Sequence, residues 1–153
     1  MVRIMLNTNV FCRPFDSLEA SRIIEEAKSS EIIFSLAWQG KLDIISSDVL
    51  YSEVDLIDDK TKNESVYYLI KTVEKERILM NEGVLSLADA LNSIINDYND
   101  CLHIAFAAIG KCHCLITCDY ELINKRRKIE TFLLSKGINL KIKTPTEFIG
   151  NYN

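Results

Sequence analysis

The sequence predicts an α/β domain of three layers, in which helices cover both faces of a mainly parallel sheet. Short apolar runs with strand character, such as 2–6 and 114–117, alternate with longer segments whose apolar residues recur at helical spacing. Strands that are separated by helices pair in parallel, and such sheets are buried on both faces. A chain of 153 residues is the size of one domain, which we take to span 1–153.

Each element is predicted from its own local pattern. Apolar residues run together in four predicted strands, at 2–6, 42–45, 114–117 and 140–143. Helical spacing predicts helices at 18–39 (broken near Ser29 and Ser30), 61–80, 87–95, 100–109 and 120–136. A further helix is predicted to begin at an N-cap within 46–48 and to run through Glu53. Gly110 and Gly137 end the last two helices, and a short turn is predicted at 146–149.

Composition argues against several classes of protein. The net charge of −4 disfavours indiscriminate nucleic-acid binding, which needs a surplus of Lys and Arg, so a polyanion would require a local basic patch. No apolar run is long enough to span a membrane, and the chain starts with a strand pattern instead of a signal peptide. We therefore expect a cytoplasmic protein whose 5 cysteines are reduced thiols.

Polar side chains follow three of the predicted strands. These residues are Asn7, Thr8 and Asn9 after the first strand, Ser46, Ser47 and Asp48 after the second, and Thr117, Cys118 and Asp119 after the third. Open parallel sheets bind ligands beyond the carboxyl ends of their strands, so these residues are expected to border one crevice. Glu53 and Asp100 lie near the first turns of helices that can face the same crevice.

Four segments in this order resemble the PIN-domain family of nucleases, which includes the VapC-like toxic ribonucleases of bacterial and archaeal toxin–antitoxin pairs. They are Ile4-Met5-Leu6-Asn7-Thr8-Asn9-Val10-Phe11, Ser47-Asp48-Val49-Leu50-Tyr51-Ser52-Glu53-Val54, Asp100-Cys101-Leu102-His103-Ile104-Ala105-Phe106-Ala107 and Leu115-Ile116-Thr117-Cys118-Asp119. Arg13-Pro14-Phe15-Asp16 also resembles one branch of that family. The resemblance spans nearly the whole chain and implies a PIN-like, Rossmann-like sandwich.

The resemblance also implies a site and a reaction. Family members carry acids that hold Mg²⁺ or Mn²⁺ at the positions of Asn7, Glu53, Asp100 and Asp119, supporting polar residues at those of Asn9 and Thr117, and sometimes an extra acid at that of Glu121. Hard divalent cations prefer such oxygen ligands, and carboxylates crowded into one crevice repel one another unless a cation neutralises them. The implied activity is an endoribonuclease in which metal-activated water hydrolyses a phosphodiester and leaves a 5′ phosphate and a 3′ hydroxyl.

Asn7 departs from the family pattern. Its carbonyl can coordinate a cation, but the side chain brings no charge, so we expect weaker metal binding and reduced or lost activity. A non-catalytic, degenerate PIN-like module that binds RNA or a protein partner is the alternative. A nucleotide-binding domain has less support because no glycine-rich phosphate loop follows a strand, and a phosphate-accepting receiver domain would need paired acids after the first strand.

Each candidate acid also has a purely structural interpretation. Glu53 would be a solvated helix residue, Asp100 a charge that complements the helix dipole, and Asp119 an N-cap. The ordered set of segments favours the metal crevice over these interpretations. Asp97 is a rival for Asp100, although it precedes the helix pattern.

Other metal-binding and catalytic groups are less well supported. Cys112, His113, Cys114 and Cys118 would suit zinc chemically, but their spacing does not match a zinc knuckle, and buried thiols are the better interpretation. His103 is interpreted as a packed histidine that a backbone group satisfies.

Basic residues are the candidates for RNA contact. Lys125, Arg126 and Arg127, with Lys128, form the densest basic run and follow Asp119 by about two helical turns. Arg13 is a second candidate, near the end of the first strand. A solvated helix face is the alternative for the run. The family resemblance adds two expected protein partners, a second copy in a homodimer and an antitoxin that inserts into the acidic crevice.

Overall fold

The computed structural model describes residues 1–152 and contains one five-stranded sheet. The strands are β1 (Arg3–Leu6), β2 (Asp43–Ser47), β3 (Glu74–Ile78), β4 (Cys114–Ile116) and β5 (Lys141–Lys143). Their spatial order is β3-β2-β1-β4-β5, and every neighbouring pair is parallel. The predicted α/β class with a parallel sheet is therefore confirmed.

Helices pack on both faces of this sheet. They are α1 (Thr8–Cys12), α2 (Ser21–Trp38), α3 (Asp48–Asp55), α4 (Lys60–Val73), α5 (Glu82–Leu91), α6 (Tyr98–Ile109), α7 (Tyr120–Ser135) and α8 (Pro145–Asn151), with a 3₁₀ turn at Arg13–Phe15. Side chains of β1 alternate between two cores: Ile4 and Leu6 pack with α1 to α4 and α8, whereas Met5 packs with α5, α6 and α7. The domain is thus a three-layer sandwich.

One predicted helix is wrong in its second half. The pattern predicted a helix at 61–80, but α4 ends at Val73 and β3 begins at Glu74 without a connecting loop. β3 is an edge strand with charged, exposed residues at 75–77. Among the strands of the described residues it pairs with β2 alone, and the register of this pairing shifts between Ile44 and Ile45. Charged residues and irregular pairing are common on edge strands, and they remove the apolar alternation by which a strand is recognised.

Smaller differences concern helix boundaries. The break predicted near Ser29 and Ser30 is absent from α2, because Ser30 Oγ donates to the carbonyl of Glu26 and Ser29 Oγ lies 3.3 Å from Thr146 Oγ1 of α8. The helix predicted at 87–95 spans Glu82–Leu91 and is capped by the side chain of Asn81. The turn predicted at 146–149 is part of α8.

The strand order determines where a ligand site can form. From β1 the chain passes to β2 and β3 on one side, then returns to β4 and β5 on the other. The direction of winding therefore changes between β1 and β4, and the crevice beyond their carboxyl ends is the usual binding place of such sheets. In residues 1–152, no helix is long and apolar enough to cross a membrane.

Candidate functional site

Asn7 and Thr117 stand side by side at the carboxyl ends of β1 and β4. The backbone N–H of Asn7 donates to the carbonyl of Ile116 over 2.9 Å, so the parallel hydrogen bonding between β1 and β4 extends one residue past β1. Asn7 Nδ2 donates to Thr117 Oγ1 over 3.1 Å, and Asn7 is only 5% exposed. The side-chain carbonyl oxygen of Asn7 is therefore the atom that can contact a ligand.

A small network of hydrogen bonds joins the two loops around this pair. Thr117 Oγ1 accepts from the Asp119 amide over 3.0 Å and from Asn9 Nδ2 over 3.4 Å. Asn9 Oδ1 accepts from the Cys118 amide over 2.9 Å. The structure therefore brings together Asn9 and Thr117, the two residues that sequence analysis proposed as supporting polar groups, and uses both to hold Asp119.

Asp119 has the structural role that the alternative interpretation proposed, and it retains acceptor capacity. Its Oδ1 caps α7 by accepting from the Glu121 amide over 2.9 Å. A carboxylate has two oxygens with about four acceptor sites in total, so one capping bond leaves Asp119 able to bind a further group. Glu121 lies in the first turn of α7 and is exposed.

Asp100 lies in the first turn of α6, where negative charge is concentrated. Burial, followed by the charges of Asp97 and Asp119, raises the pKa of Asp100 to about 7 from 3.8; Glu53 adds to the effect, whereas His103 opposes it. Its rival Asp97 is the N-cap of α6 and accepts from the amides of Asn99 and Asp100. This charge pattern favours Asp100 as the crevice acid and Asp97 as the cap.

Glu53 is held by three side chains from two other segments. Its Oε1 accepts from Thr8 Oγ1 over 2.5 Å and lies 2.5 Å from His103 Nε2, and its Oε2 accepts from Asn99 Nδ2 over 3.2 Å. Burial alone would raise the pKa of Glu53, but these bonds, led by that of His103, lower it below its ordinary value. Glu53 is therefore a positioned carboxylate and not a solvated helix residue.

The sequence correctly predicted that His103 is packed in the interior, but the predicted hydrogen-bond partner was wrong. The ring is fully buried, and its partner is the Glu53 side chain instead of a backbone group. Neither Asn99 nor the contact of Thr8 with Glu53 was predicted from the sequence. The one available signal was the three-residue interval from Asp100 to His103, which places both on one side of α6.

The donor set fits a hard divalent cation that is held by few protein ligands. Asp100 and Asp119 offer carboxylates, and Asn7 offers a carbonyl. In residues 1–152, no group of three His, Cys, Asp or Glu side chains is arranged to hold a metal. Mg²⁺ is usually bound by one or two carboxylates, with water and substrate phosphate completing its shell. The unbalanced charge around Asp100 is what such a cation would neutralise.

The cysteines do not form a soft-metal site in the part of the chain that the structure describes. Cys112, Cys114 and Cys118 are buried, and burial raises the pKa of Cys112 and Cys118 to about 12. Zinc binds the thiolate form, which burial disfavours here. Sequence analysis interpreted these residues as reduced core thiols, and all of them are free cysteines.

The basic residues proposed to contact RNA have different surroundings. Arg13 is largely buried and pairs with Asp16 over 2.8 Å and with Glu26 over 2.9 Å. Arg126 binds Glu147 of α8 through both ends of its guanidinium group, over 2.7 and 3.0 Å. These two arginines therefore stabilise contacts between segments of the fold.

Lys125 and Arg127 are better placed for an external ligand. Lys125 lines a recess of about 40 Å³ with Asp97, Asp100 and Glu121. Arg127 is exposed on α7, and neither residue has an ion-pair partner within 4.0 Å in the described residues. The basic run therefore offers two residues for contact, one beside the acidic crevice and one on the outer helix face.

Comparison with known proteins adds information about the fold. No protein-family model and no curated protein matches the chain. Among solved structures, a chain of VapBC2 from Rickettsia felis, bound to a DNA fragment from their promoter, aligns over 94% of this chain and 98% of its own length. The TM-score is 0.58 and the sequence identity is 16%. The two chains share a fold. This agrees with the PIN-like three-layer sandwich that the four sequence segments predicted.

Proposed function

We propose that this chain is a PIN-like endoribonuclease that uses Mg²⁺ or Mn²⁺ to hydrolyse RNA phosphodiester bonds, with activity weakened or lost because Asn7 replaces the first acid of the family pattern. The observation that carries the proposal is that the charge of Asp119, which follows β4, acts on Asp100 at the start of α6. The fold shared with a VapBC2 chain supports it. The resemblance of the four sequence segments supplies the reaction class.

Each side chain has a distinct role in the proposed reaction. A divalent cation held by Asp100 and Asp119 would polarise a phosphoryl oxygen and lower the pKa of its bound water. The side-chain carbonyl of Asn7 would contribute an uncharged ligand, while its Nδ2 donates to Thr117. Asn9 and Thr117 fix the loop that presents Asp119. Glu53, held on α3, accepts a proton or a hydrogen bond from the attacking water.

The proposal includes partners that follow from its family likeness. The substrate is RNA, and Lys125 beside the crevice is the residue placed to meet a phosphate. An antitoxin is the proposed protein partner, since the structural neighbour is a VapBC2 assembly. A homodimer is proposed from the family resemblance and would be measured by analytical ultracentrifugation.

RNA cleavage by paired variants tests this function. The chain as given is expected to cleave RNA slowly or not at all with Mn²⁺, and Asn7→Asp is expected to raise the rate by about tenfold or more because it restores a charged ligand. Adding Asp119→Asn to Asn7→Asp, or adding EDTA, should abolish cleavage. Glu64→Gln, which changes an exposed carboxylate of α4, is the matched control.

The outcomes separate the proposal from its alternative. Equal, robust cleavage by the chain as given and by Asn7→Asp would contradict the role of Asn7. A folded Asn7→Asp chain that binds RNA but does not cleave it would favour the non-catalytic, degenerate module. The hydrogen bond that Asn7 Nδ2 donates to Thr117 Oγ1 is the observation that favours this alternative, because Asn7 is held in place without a cation.

A further inference from the structure

His103 is a polar side chain in an otherwise apolar stretch of α6. All eight residues from Cys101 to Ala108 are buried, and His103 itself is 0% exposed. Burying a polar ring costs free energy unless its hydrogen bonds are satisfied. Only Nε2 has a partner in the part of the chain that the structure describes, and Nδ1 has none. The ring is therefore poorly explained as a packing residue alone.

The geometry assigns the hydrogens of this contact. The Glu53 carboxylate only accepts, so the hydrogen between the two groups lies on His103 Nε2. Nδ1 is buried and has no hydrogen-bond partner in the described residues, so the ring acts on its surroundings through Nε2. The imidazole thus acts as a fixed donor toward α3.

The contacts of Glu53 make its two oxygens unequal. Oε1 accepts from both His103 and Thr8, whereas within residues 1–152 Oε2 accepts only from the exposed Asn99. Two donors on one oxygen restrict rotation of the carboxylate, and the other oxygen keeps acceptor capacity. His103 and Asp100 lie one turn apart on α6, so a single rigid helix sets the positions of Asp100 directly and of Glu53 through His103.

We propose that His103 is a positioning residue for the candidate cation site: it holds Oε1 of Glu53 so that Oε2 accepts from a cation-bound water in the crevice. This inference rests on the proposed function. Partners that orient the ligands of a metal site typically affect metal affinity or activity by about 10–100-fold when they are removed. His103 differs from a catalytic residue because it acts only through Glu53.

Mn²⁺ affinity in matched variants tests the positioning role. The affinity is measured by calorimetry in the chain as given and in the Asn7→Asp chain. We expect His103→Leu to weaken Mn²⁺ binding by about tenfold and His103→Gln to retain most of the affinity, since its amide supplies a donor. In a chain that carries Glu53→Ala, changing His103 should have no further effect on affinity.

A second measurement needs no substitution of His103 and so does not depend on its variants folding. The ¹⁵N chemical shifts of the imidazole are expected to show a hydrogen on Nε2, and the Nε2 signal should move when Glu53 is changed to Ala. The absence of a hydrogen on Nε2, or an Nε2 signal that does not respond to Glu53→Ala, would overturn the inference. Equal losses of Mn²⁺ affinity in His103→Gln and His103→Leu, no loss in either, or no Mn²⁺ binding by the Asn7→Asp chain would also overturn it.

The RNA assay distinguishes this inference from the proposed function. Mn²⁺ binding with the expected His103 pattern, but without RNA cleavage by the Asn7→Asp chain, would refute the nuclease proposal and leave the positioning role supported. Mn²⁺-dependent cleavage that is equal in the His103→Gln and His103→Leu chains would support the nuclease and refute the positioning role.

Discussion

Asp100 carries an unfavourable charge in the metal-free protein. Its pKa is raised by burial and by the neighbouring charges of Asp97 and Asp119, from 3.8 to about 7. When folding raises the pKa of a carboxyl, the folded state is favoured while the carboxyl is protonated. This contribution to the free energy of unfolding is fully present below about pH 4 and is lost as the pH rises to about 7. The metal-free protein therefore loses stability through this group between those values.

Replacing Asp100 by Asn should remove that pH-dependent loss. In EDTA, Asp100→Asn is expected to raise the free energy of unfolding at pH 8 by an amount on the order of 2 kcal/mol, after allowance for the screening of a partly exposed carboxyl, and to have little effect at pH 4. Urea unfolding at both pH values measures this. Asp58→Asn, in an exposed loop, is the control. An equal effect of Asp100→Asn at both pH values would contradict the account.

At the residue scale, the polar ends of the strands were predictable and the contacts of Glu53 were not. Asn7 and Asp119 each follow an apolar run directly, so the sequence shows their position on the sheet. The contact of Glu53 with His103 joins two helices across 50 positions of sequence. It depends on how α3 and α6 pack together, which local patterns do not encode.

At the element scale, the basic residues of α7 have two different roles. Arg126 faces α8 and is bound there by Glu147, whereas Arg127 faces outward. A solvated helix face and a structural ion pair therefore coexist on one helix. The pair is partly exposed on both sides, so its net contribution to stability is small.

Single substitutions should separate these two roles. Arg127→Ala is expected to weaken RNA binding and to reduce the slope of log affinity against log salt by about 1, because one phosphate contact is lost. Fluorescence anisotropy at several salt concentrations measures this effect. Lys28→Ala, exposed on α2, is the charge-matched control. If Arg127→Ala behaved like Lys28→Ala, Arg127 would have no role in RNA binding.

Arg126→Ala is expected to lower the free energy of unfolding by at most about 1 kcal/mol, which urea unfolding measures.

Strands with buried apolar residues were predictable, whereas the polar edge strand β3 was not. The strands β1, β2, β4 and β5 were recognised from apolar residues, and each contains at least one buried residue; in β5, the other edge strand, this residue is Ile142. β3 escaped recognition because Glu74, Lys75, Glu76 and Arg77 give it the polarity of the preceding helix surface. Its pairing with β2 is a tertiary interaction that supports an otherwise unfavourable strand sequence.

At the scale of the whole molecule, the winding of the chain brings the separated candidate residues toward one end of the sheet. β1 at the centre of the sheet supplies Asn7, β4 beside it leads to Asp119, and α3 and α6 bring Glu53 and Asp100 to the same end. The order of strands was not predicted, but the rule that sites lie beyond the carboxyl ends of parallel strands was enough to select Asn7 and Asp119. The crevice is therefore a property of the topology.

Anomalous diffraction from crystals of the Asn7→Asp chain soaked with Mn²⁺ tests the central claim most directly. The account predicts an anomalous peak beyond the carboxyl ends of β1 and β4, within coordination distance of Asp100 and Asp119, and a weaker peak at the same place in the chain as given. Mn²⁺ bound only elsewhere, or a crevice without Mn²⁺ in the Asn7→Asp chain, would contradict it.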